Sequence, residues 1–235
     1  MSRVTQNLVL LLVGLSTAVM LAKGTYLNYV KPALLPWLAV AAAVLVTLGL
    51  VAIVRDLRSA RNEHRDEHGH RHQPWLGWLL LIPIAMVAFV VPPPLDASGA
   101  TSAPVNAPQR RAFPPLPAGD APTVSLPEVV MRAAADSTNS LAGRSITLTG
   151  FTLHGSDQVD LARVVIVCCA ADAQLARIHL TGPAAPTVAD HPEDTWLQIE
   201  GQIVPGSSHA EDGFIPTMTV TSATPVDKPA NTYAY

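Results

Sequence analysis

Three long stretches without a charged side chain constrain this chain more than any other feature. They cover residues 7–22, 32–54 and 75–91. A helix needs about 20 apolar residues, within a range of about 17–25, to cross a bilayer. The first stretch also has the length of a signal peptide, but no clean small-residue cleavage site precedes Lys23. We therefore predict a three-helix transmembrane anchor over residues 1–91.

The charges of the connecting loops predict the orientation of this anchor. The loop between the second and third stretches, residues 55–73, contains five arginines: Arg55, Arg58, Arg61, Arg65 and Arg71. The loop before it has only Lys23 and Lys31. Loops rich in Lys and Arg stay in the cytoplasm. We predict that the N-terminus and residues 55–73 are cytoplasmic and that the chain after Val91 is extracytoplasmic.

Residues 92–125 have the composition of a linker. Prolines cluster there, and the remaining residues are mostly Ala, Ser, Gly and Thr. Such a segment buries too little apolar surface to offset the entropy of ordering, so an extended spacer is expected. The part from Arg110 to Tyr235 carries 7 basic and 13 acidic residues, a net charge of −6. That charge excludes a nucleic-acid-binding domain, which needs a basic surface.

The pattern of residues 126–235 predicts a small β domain. A short helix over 126–135 begins with Pro127, a residue favoured in the first helical turn. Five segments with strand signals follow: 145–153, 161–169, 175–181, 196–204 and 216–226. Five short strands separated by turn residues predict an OB-like five-stranded barrel, with a five-stranded sandwich as the alternative. Gly150 and Gly201 lie inside strand patterns, where we expect bends or bulges.

Four histidines in the cytoplasmic loop form the first candidate metal site. They are His64, His68, His70 and His72. The first two share a face if the segment is helical, and the last three line one side if it is extended. Imidazole suits zinc and its neighbours among the transition metals. The alternative is a solvated loop whose arginines only set the topology.

Two adjacent cysteines, Cys168 and Cys169, form the second candidate metal site. Within a strand their side chains would point to opposite faces, which opposes joint binding of one ion. The following Ala-Ala-Asp indicates that the strand ends there, and His154 or His179 could approach in space. A vicinal disulfide, which requires a strained ring, is another option. The alternative is one buried small side chain and one incidental thiol.

The sequence contains no Gly-rich phosphate loop, zincin motif or nucleophile elbow, so we predict no enzyme. The three apolar stretches also lack ionisable residues. Proteins that move ions through their own helices normally carry polar groups there. We therefore expect that this chain is not a pore by itself.

The order of these features resembles the YcgQ-like family of permease subunits. The residues that carry the resemblance are the segments VVIVCCAADA and WLQIEGQIV and the ending PTMTVTSATPVDKPANTYAY, with Lys228, Pro229, Tyr233 and Tyr235. The resemblance covers nearly the whole chain. It implies a membrane protein that works beside a separate multi-helix permease of the YcgR type. It leaves the substrate open, with a divalent metal ion such as zinc as the candidate.

Taken with this resemblance, the sequence predicts an accessory subunit of a membrane permease, with a role in divalent metal-ion transport or homeostasis. Two other functions fit the same sequence. One is an extracytoplasmic metal-binding or thiol-redox protein that acts alone through Cys168 and Cys169. The other is an envelope adaptor whose β domain only binds partners.

Overall fold

The computed structural model describes residues 3–62, 94–95, 109–155 and 158–235. The chain divides into two compact units, Met1–Pro93 and Pro94–Tyr235. The third apolar stretch, residues 75–91, and the four histidines of the loop that we predict to be cytoplasmic lie outside the described residues.

The first unit contains two long helices, α1 (Arg3–Lys23) and α2 (Leu35–Asn62), joined by two 3-10 turns. Both are long and apolar enough to cross a membrane, over Gln6–Lys23 and Pro32–Asp56. Helix α2 continues past Arg55 into the segment that the sequence analysis assigns to a loop. No Pro or Gly interrupts residues 55–62, so nothing in this segment breaks the helix.

Helices α1 and α2 pack closely through small residues. A Cβ added to Gly14 would lie 2.9 Å from Val46, and one added to Gly49 would lie 2.9 Å from Leu11. Such small residues let helix backbones approach in a lipid environment. At one end of the pair, the Asn7 side-chain amide donates to Asp56 at 2.7 Å. The helices therefore form a hairpin with a polar tie at that end.

The second unit begins its regular structure with helix α3 (Leu126–Ala135), as predicted. Five strands follow, with a five-residue helix, α4 (Ala185–Ala189), before the fourth. The strands are β1 (Ser145–His154), β2 (Val159–Val165), β3 (Gln174–Thr181), β4 (Trp196–Ile203) and β5 (Thr217–Pro225). The predicted number and order of strands is confirmed, and most strand ends fall within two residues of the expected positions.

The five strands form one closed barrel in the order β1-β2-β3-β5-β4. All neighbours are antiparallel except β3 and β5, which are parallel. Strand β4 pairs with both β5 and β1 and so closes the sheet. The register shifts between Glu200 and Gly201, as a bulge requires. A Cβ at Gly201 would overlap the carbonyl oxygen of Thr219, so only glycine fits there.

Two hydrophobic clusters fill this unit. Neighbouring residues of a strand point to opposite faces, so Leu197 and Leu161 belong to the larger cluster, with α3. Trp196 and Ala162 belong to the second. The members of the second cluster are Phe151, Ala162, Val164, Ile166, Ala173, Trp196 and Tyr233.

The C-terminal tail covers part of the second cluster. Ala234 forms an isolated parallel bridge with Val165. The Tyr233 side chain is only 2% exposed, and its hydroxyl accepts a hydrogen bond of 2.8 Å from the Leu95 amide. The tail therefore ties the beginning of this unit to the end of β2.

Residues 109–125, which the composition assigns to a linker, pack against the β domain. Leu116 and Val124 are buried in the larger cluster. The Val124 amide donates to the Thr147 carbonyl, and the Thr147 amide donates to the Pro122 carbonyl. Prolines remove backbone donors, but the few apolar side chains between them suffice to dock an extended segment on a preformed surface.

Candidate functional site

The two cysteines lie on a loop after strand β2, not within it. The strand ends at Val165, and a 3-10 turn over Ala170–Asp172 follows. Both flanking residues, Ile166 and Ala173, are buried in the second cluster. The Ile166 amide donates to the Ala234 carbonyl, so the tail holds the start of the loop. We call residues 167–172 the dithiol loop.

One carboxylate organises the dithiol loop. Asp172 Oδ1 accepts the Val167 amide at 2.7 Å, and Oδ2 accepts the Cys168 and Cys169 amides at 2.8 and 3.2 Å. The Cys169 side chain in turn accepts the Asp172 amide, which completes a capping box around the 3-10 turn. Three consecutive backbone donors therefore point at one carboxylate.

This arrangement brings both thiols to the same side as the carboxylate. Cys168 Sγ donates to Asp172 Oδ2 at 2.8 Å and lies 3.7 Å from Cys169 Sγ. One ligand atom from each of the three residues lies within 4.8 Å of the others. Because the strand ends before the cysteines, their side chains do not alternate between faces. The geometric objection to joint metal binding, which applied to a strand, does not apply to this loop.

The hydrogen bonds shift the titration of both partners. The Cys168 hydrogen bond and the Val167 amide are the main causes that lower the pKa of Asp172 to about 2. The hydrogen bond to Asp172, followed by that to Cys169, raises the pKa of Cys168 to about 11. At neutral pH the carboxylate is ionised and the Cys168 thiol keeps its proton. A cation that binds here must displace that proton.

Asp172 is the residue of this candidate site that was not predicted from the sequence. Its position after Ala-Ala indicated only that the strand ends there. The available signal was its position three residues after Cys169, which is the spacing of a capping box. Cys168 is exposed, and the Val167 side chain beside it is 69% exposed. Solvent and partners can therefore reach the thiols.

The histidines of the β domain do not complete this site. Among the residues that the structure describes, the group around the thiols contains no histidine. His179 instead contacts Gln158 and Asp160. The distance between His179 Nδ1 and Asp160 Oδ1 is 2.7 Å. His64, His68, His70 and His72 lie outside the described residues, so metal binding by them stays a prediction.

A second aspartate, Asp136, lies beside a cavity of about 420 Å³. Its carboxylate accepts the amides and the hydroxyls of Thr138 and Ser140. Arg132, also on the cavity wall, donates to Glu128, to the Pro114 carbonyl and to Ser140. The charged groups of this cavity are thus engaged within the fold. The dithiol loop is the better candidate site.

Comparison with protein families matches two parts of the chain. The family model described as DUF1980 N-terminal domain matches residues 5–105, and the model described as DUF1980 C-terminal domain matches residues 128–235. A comparison with curated proteins and one with solved structures gave no match.

Proposed function

The chain belongs to the DUF1980 family, whose N- and C-terminal domains it carries in order, and from this premise we propose that it is an accessory subunit of a membrane permease. In this proposal the β domain captures a divalent metal ion on the dithiol loop and presents it to a separate multi-helix permease. Zinc is the main candidate for this ion. The observation that carries the proposal is the convergence of Cys168, Cys169 and Asp172.

The chemistry of the three side chains supports metal capture. Thiolate sulfur and carboxylate oxygen are both zinc ligands, and sites with three protein ligands leave a position open for exchange. Cys168 is exposed and Cys169 and Asp172 are half-buried, so solvent can reach the site, as exchange of an ion requires. The Asp172 carboxylate is already ionised and held by backbone amides, so the side chain needs little reorganisation to bind a cation.

A thiol-redox role is the second candidate, and geometry favours it less. The two sulfurs lie 3.7 Å apart, whereas a disulfide needs about 2.05 Å. Adjacent residues also have Cα atoms about 3.8 Å apart, below the roughly 4.4–6.8 Å that disulfides normally span. Closing the bond would strain the loop, while a metal ion can bridge the sulfurs near their present separation.

The membrane part of the proposal extends the two candidate spans α1 and α2. We propose that residues 75–91 form a third span and that the arginine-rich segment 55–73 stays in the cytoplasm, which places the dithiol loop outside. The strand order of the barrel and the helix before β4 support assigning the β domain to the OB type.

Zinc titration of the full chain in detergent tests metal capture. His64, His68, His70 and His72 are first changed to Ala so that only the β domain is measured. In that background we expect the Cys168→Ser, Cys169→Ser double variant to bind zinc at least about 100-fold more weakly than the parent. Equal affinity of the two proteins would refute capture by the dithiol loop.

Two further measurements test the partner and the orientation. The full chain should copurify with a polytopic permease when both are expressed together, and recovery of the chain without it would contradict the subunit role. An enzyme reporter that works only outside the cytoplasm should be active when fused after Tyr235. Activity of a cytoplasmic reporter at that position would reverse the proposed topology.

A further inference from the structure

We infer that Asp172 is a direct ligand that makes the dithiol loop selective for tetrahedral divalent ions over monovalent Cu(I). This inference rests on the proposed metal capture and adds the class of ion and the residue that selects it. Three independent features of the loop lead to it: the distance between the sulfurs, the position of the Cys168 thiol proton, and the charge and chemical type of the donors.

The distance between the sulfurs matches a tetrahedral ion. Two zinc–sulfur bonds of about 2.3 Å at the tetrahedral angle place the sulfurs about 3.8 Å apart. The observed separation of Cys168 Sγ and Cys169 Sγ is 3.7 Å. An ion held linearly between two thiolates would place them about 4.6 Å apart for bonds of the same length. The loop would have to open to hold a linear ion.

The thiol proton marks the position of the third bond. It lies between Cys168 Sγ and Asp172 Oδ2, whose atoms are 2.8 Å apart. A tetrahedral ion bound to both atoms would set them about 3.6 Å apart, given bonds of about 2.3 and 2.1 Å. The required movement is less than one ångström on an exposed loop. The ion therefore takes the place of the proton, and Oδ2 keeps its two backbone amide donors.

The donor set also favours a divalent ion by charge and chemical type. Two thiolates and one carboxylate carry three negative charges, which a divalent ion offsets better than a monovalent one. Carboxylate oxygen suits borderline and hard ions, whereas Cu(I) prefers sulfur. Removing the Asp172 charge should thus weaken binding of Zn²⁺ much more than binding of Cu(I). A residue that only supports the loop would affect both ions alike.

The test compares Zn²⁺ and Cu(I) affinities of Asp172→Asn in the full chain that lacks the four loop histidines. We expect Zn²⁺ binding to weaken at least about tenfold and Cu(I) binding to stay unchanged. Asp136→Asn, the same chemical change at a carboxylate without a thiol beside it, should alter neither affinity. Equal losses for both ions in Asp172→Asn would assign Asp172 a supporting role only, and no loss for either would remove it from the site.

A direct measurement separates loss of a ligand from loosening of the loop, since Asp172→Asn could weaken zinc binding by either route. X-ray absorption at the zinc edge of the unmutated loop should show two sulfurs at about 2.3 Å and a shell of oxygens at about 2.0–2.2 Å. A shell of four sulfurs would mean that two chains share the ion, and would overturn the assignment of Asp172. If the parent chain binds no zinc at all, the proposed function itself fails. That result differs from each of the outcomes above, in which the parent chain binds zinc.

Discussion

Asp136 and Asp172 accept hydrogen bonds in the same local pattern but lie in different surroundings. Each carboxylate accepts backbone amides and side-chain donors from residues within five positions of it. Burial raises the pKa of Asp136, but hydrogen bonds from Ser140 and Thr138 outweigh it and hold the value well below 3.8. The pKa of Asp172 is likewise lowered, to about 2. Both carboxylates are therefore ionised at neutral pH.

The two turns differ in exposure and in the chemistry of their donors. Asp136 is buried, and its side-chain donors are the hydroxyls of Thr138 and Ser140. Asp172 lies beside two thiols, one of them exposed. A hydroxyl is a weak ligand for zinc, whereas a thiol becomes a strong ligand once it is deprotonated. The carboxylate turn by itself is a structural element, and the proposed ion binding depends on the thiols beside Asp172.

The largest effect should come from removing the support beneath one turn. Trp196 is 6% exposed, packs against Phe151 with ring centroids 5.7 Å apart, and shares a cluster with Ile166 and Ala173, which flank the dithiol loop. Trp196→Ala should lower the free energy of unfolding by about 3–5 kcal/mol. Hydrogen exchange should rise more at the amides of residues 167–169 than at Thr138.

Chemical denaturation of the full chain in detergent measures the first quantity. A loss below about 1 kcal/mol would mean that the ring contributes little buried surface. An equal rise in hydrogen exchange at the two turns would show that Trp196 does not support the dithiol loop separately from the Asp136 turn.

A smaller effect on stability is expected from Asp136→Asn. The change removes one of the two acceptor oxygens, so the amide and hydroxyl of either Thr138 or Ser140 lose their acceptor, which costs about 1–3 kcal/mol. Zinc affinity should not change, because no thiol contacts Asp136. Denaturation and zinc titration of the same preparation check both statements, and a loss of zinc affinity would connect two turns that we treat as independent.

The pH dependence of stability should follow the two aspartates. A carboxyl group whose pKa is lowered in the folded state contributes stability above its unfolded pKa, near 3.8, and loses it as the pH falls towards the folded value. Stability should therefore fall as the pH drops below about 4, and the fall should be shallower in Asp136→Asn. Unfolding midpoints measured between pH 5 and pH 2 test this, and identical slopes would contradict it.

The smallest effect concerns thiol reactivity in the metal-free protein. The raised pKa of Cys168, about 11, keeps the thiol protonated and slows alkylation at neutral pH. In a Cys169→Ser background, Asp172→Asn should speed alkylation by a few-fold, since solvent screens part of the interaction at this exposed site. Asp136→Asn is the matched control and should leave the rate unchanged. A slower reaction in Asp172→Asn would reverse the sign that we assign to the carboxylate.

Local patterns were sufficient for much of the architecture. Period-two alternation and glycine or proline boundaries located the five strands, and Pro127 marked the start of α3, because these signals depend on backbone geometry a few residues away. The apolar stretches 7–22 and 32–54 likewise predicted the helices that are long enough to span a membrane. The composition of residues 109–125 predicted a spacer, because composition does not show whether a surface is present on which Leu116 and Val124 can pack.

The order of the elements and the presence of two adjacent thiols can thus be read from the sequence alone. The convergence of those thiols and Asp172 depends on the folded barrel. Strand β2 must end at Val165, the tail must hold Ile166 through Ala234, and Ala173 must be buried for residues 167–172 to close around one carboxylate. The Ala234 carbonyl that accepts the Ile166 amide lies 68 positions away in the chain. Short-range sequence patterns cannot predict such contacts, because the contacts that end the strand form only when the barrel folds.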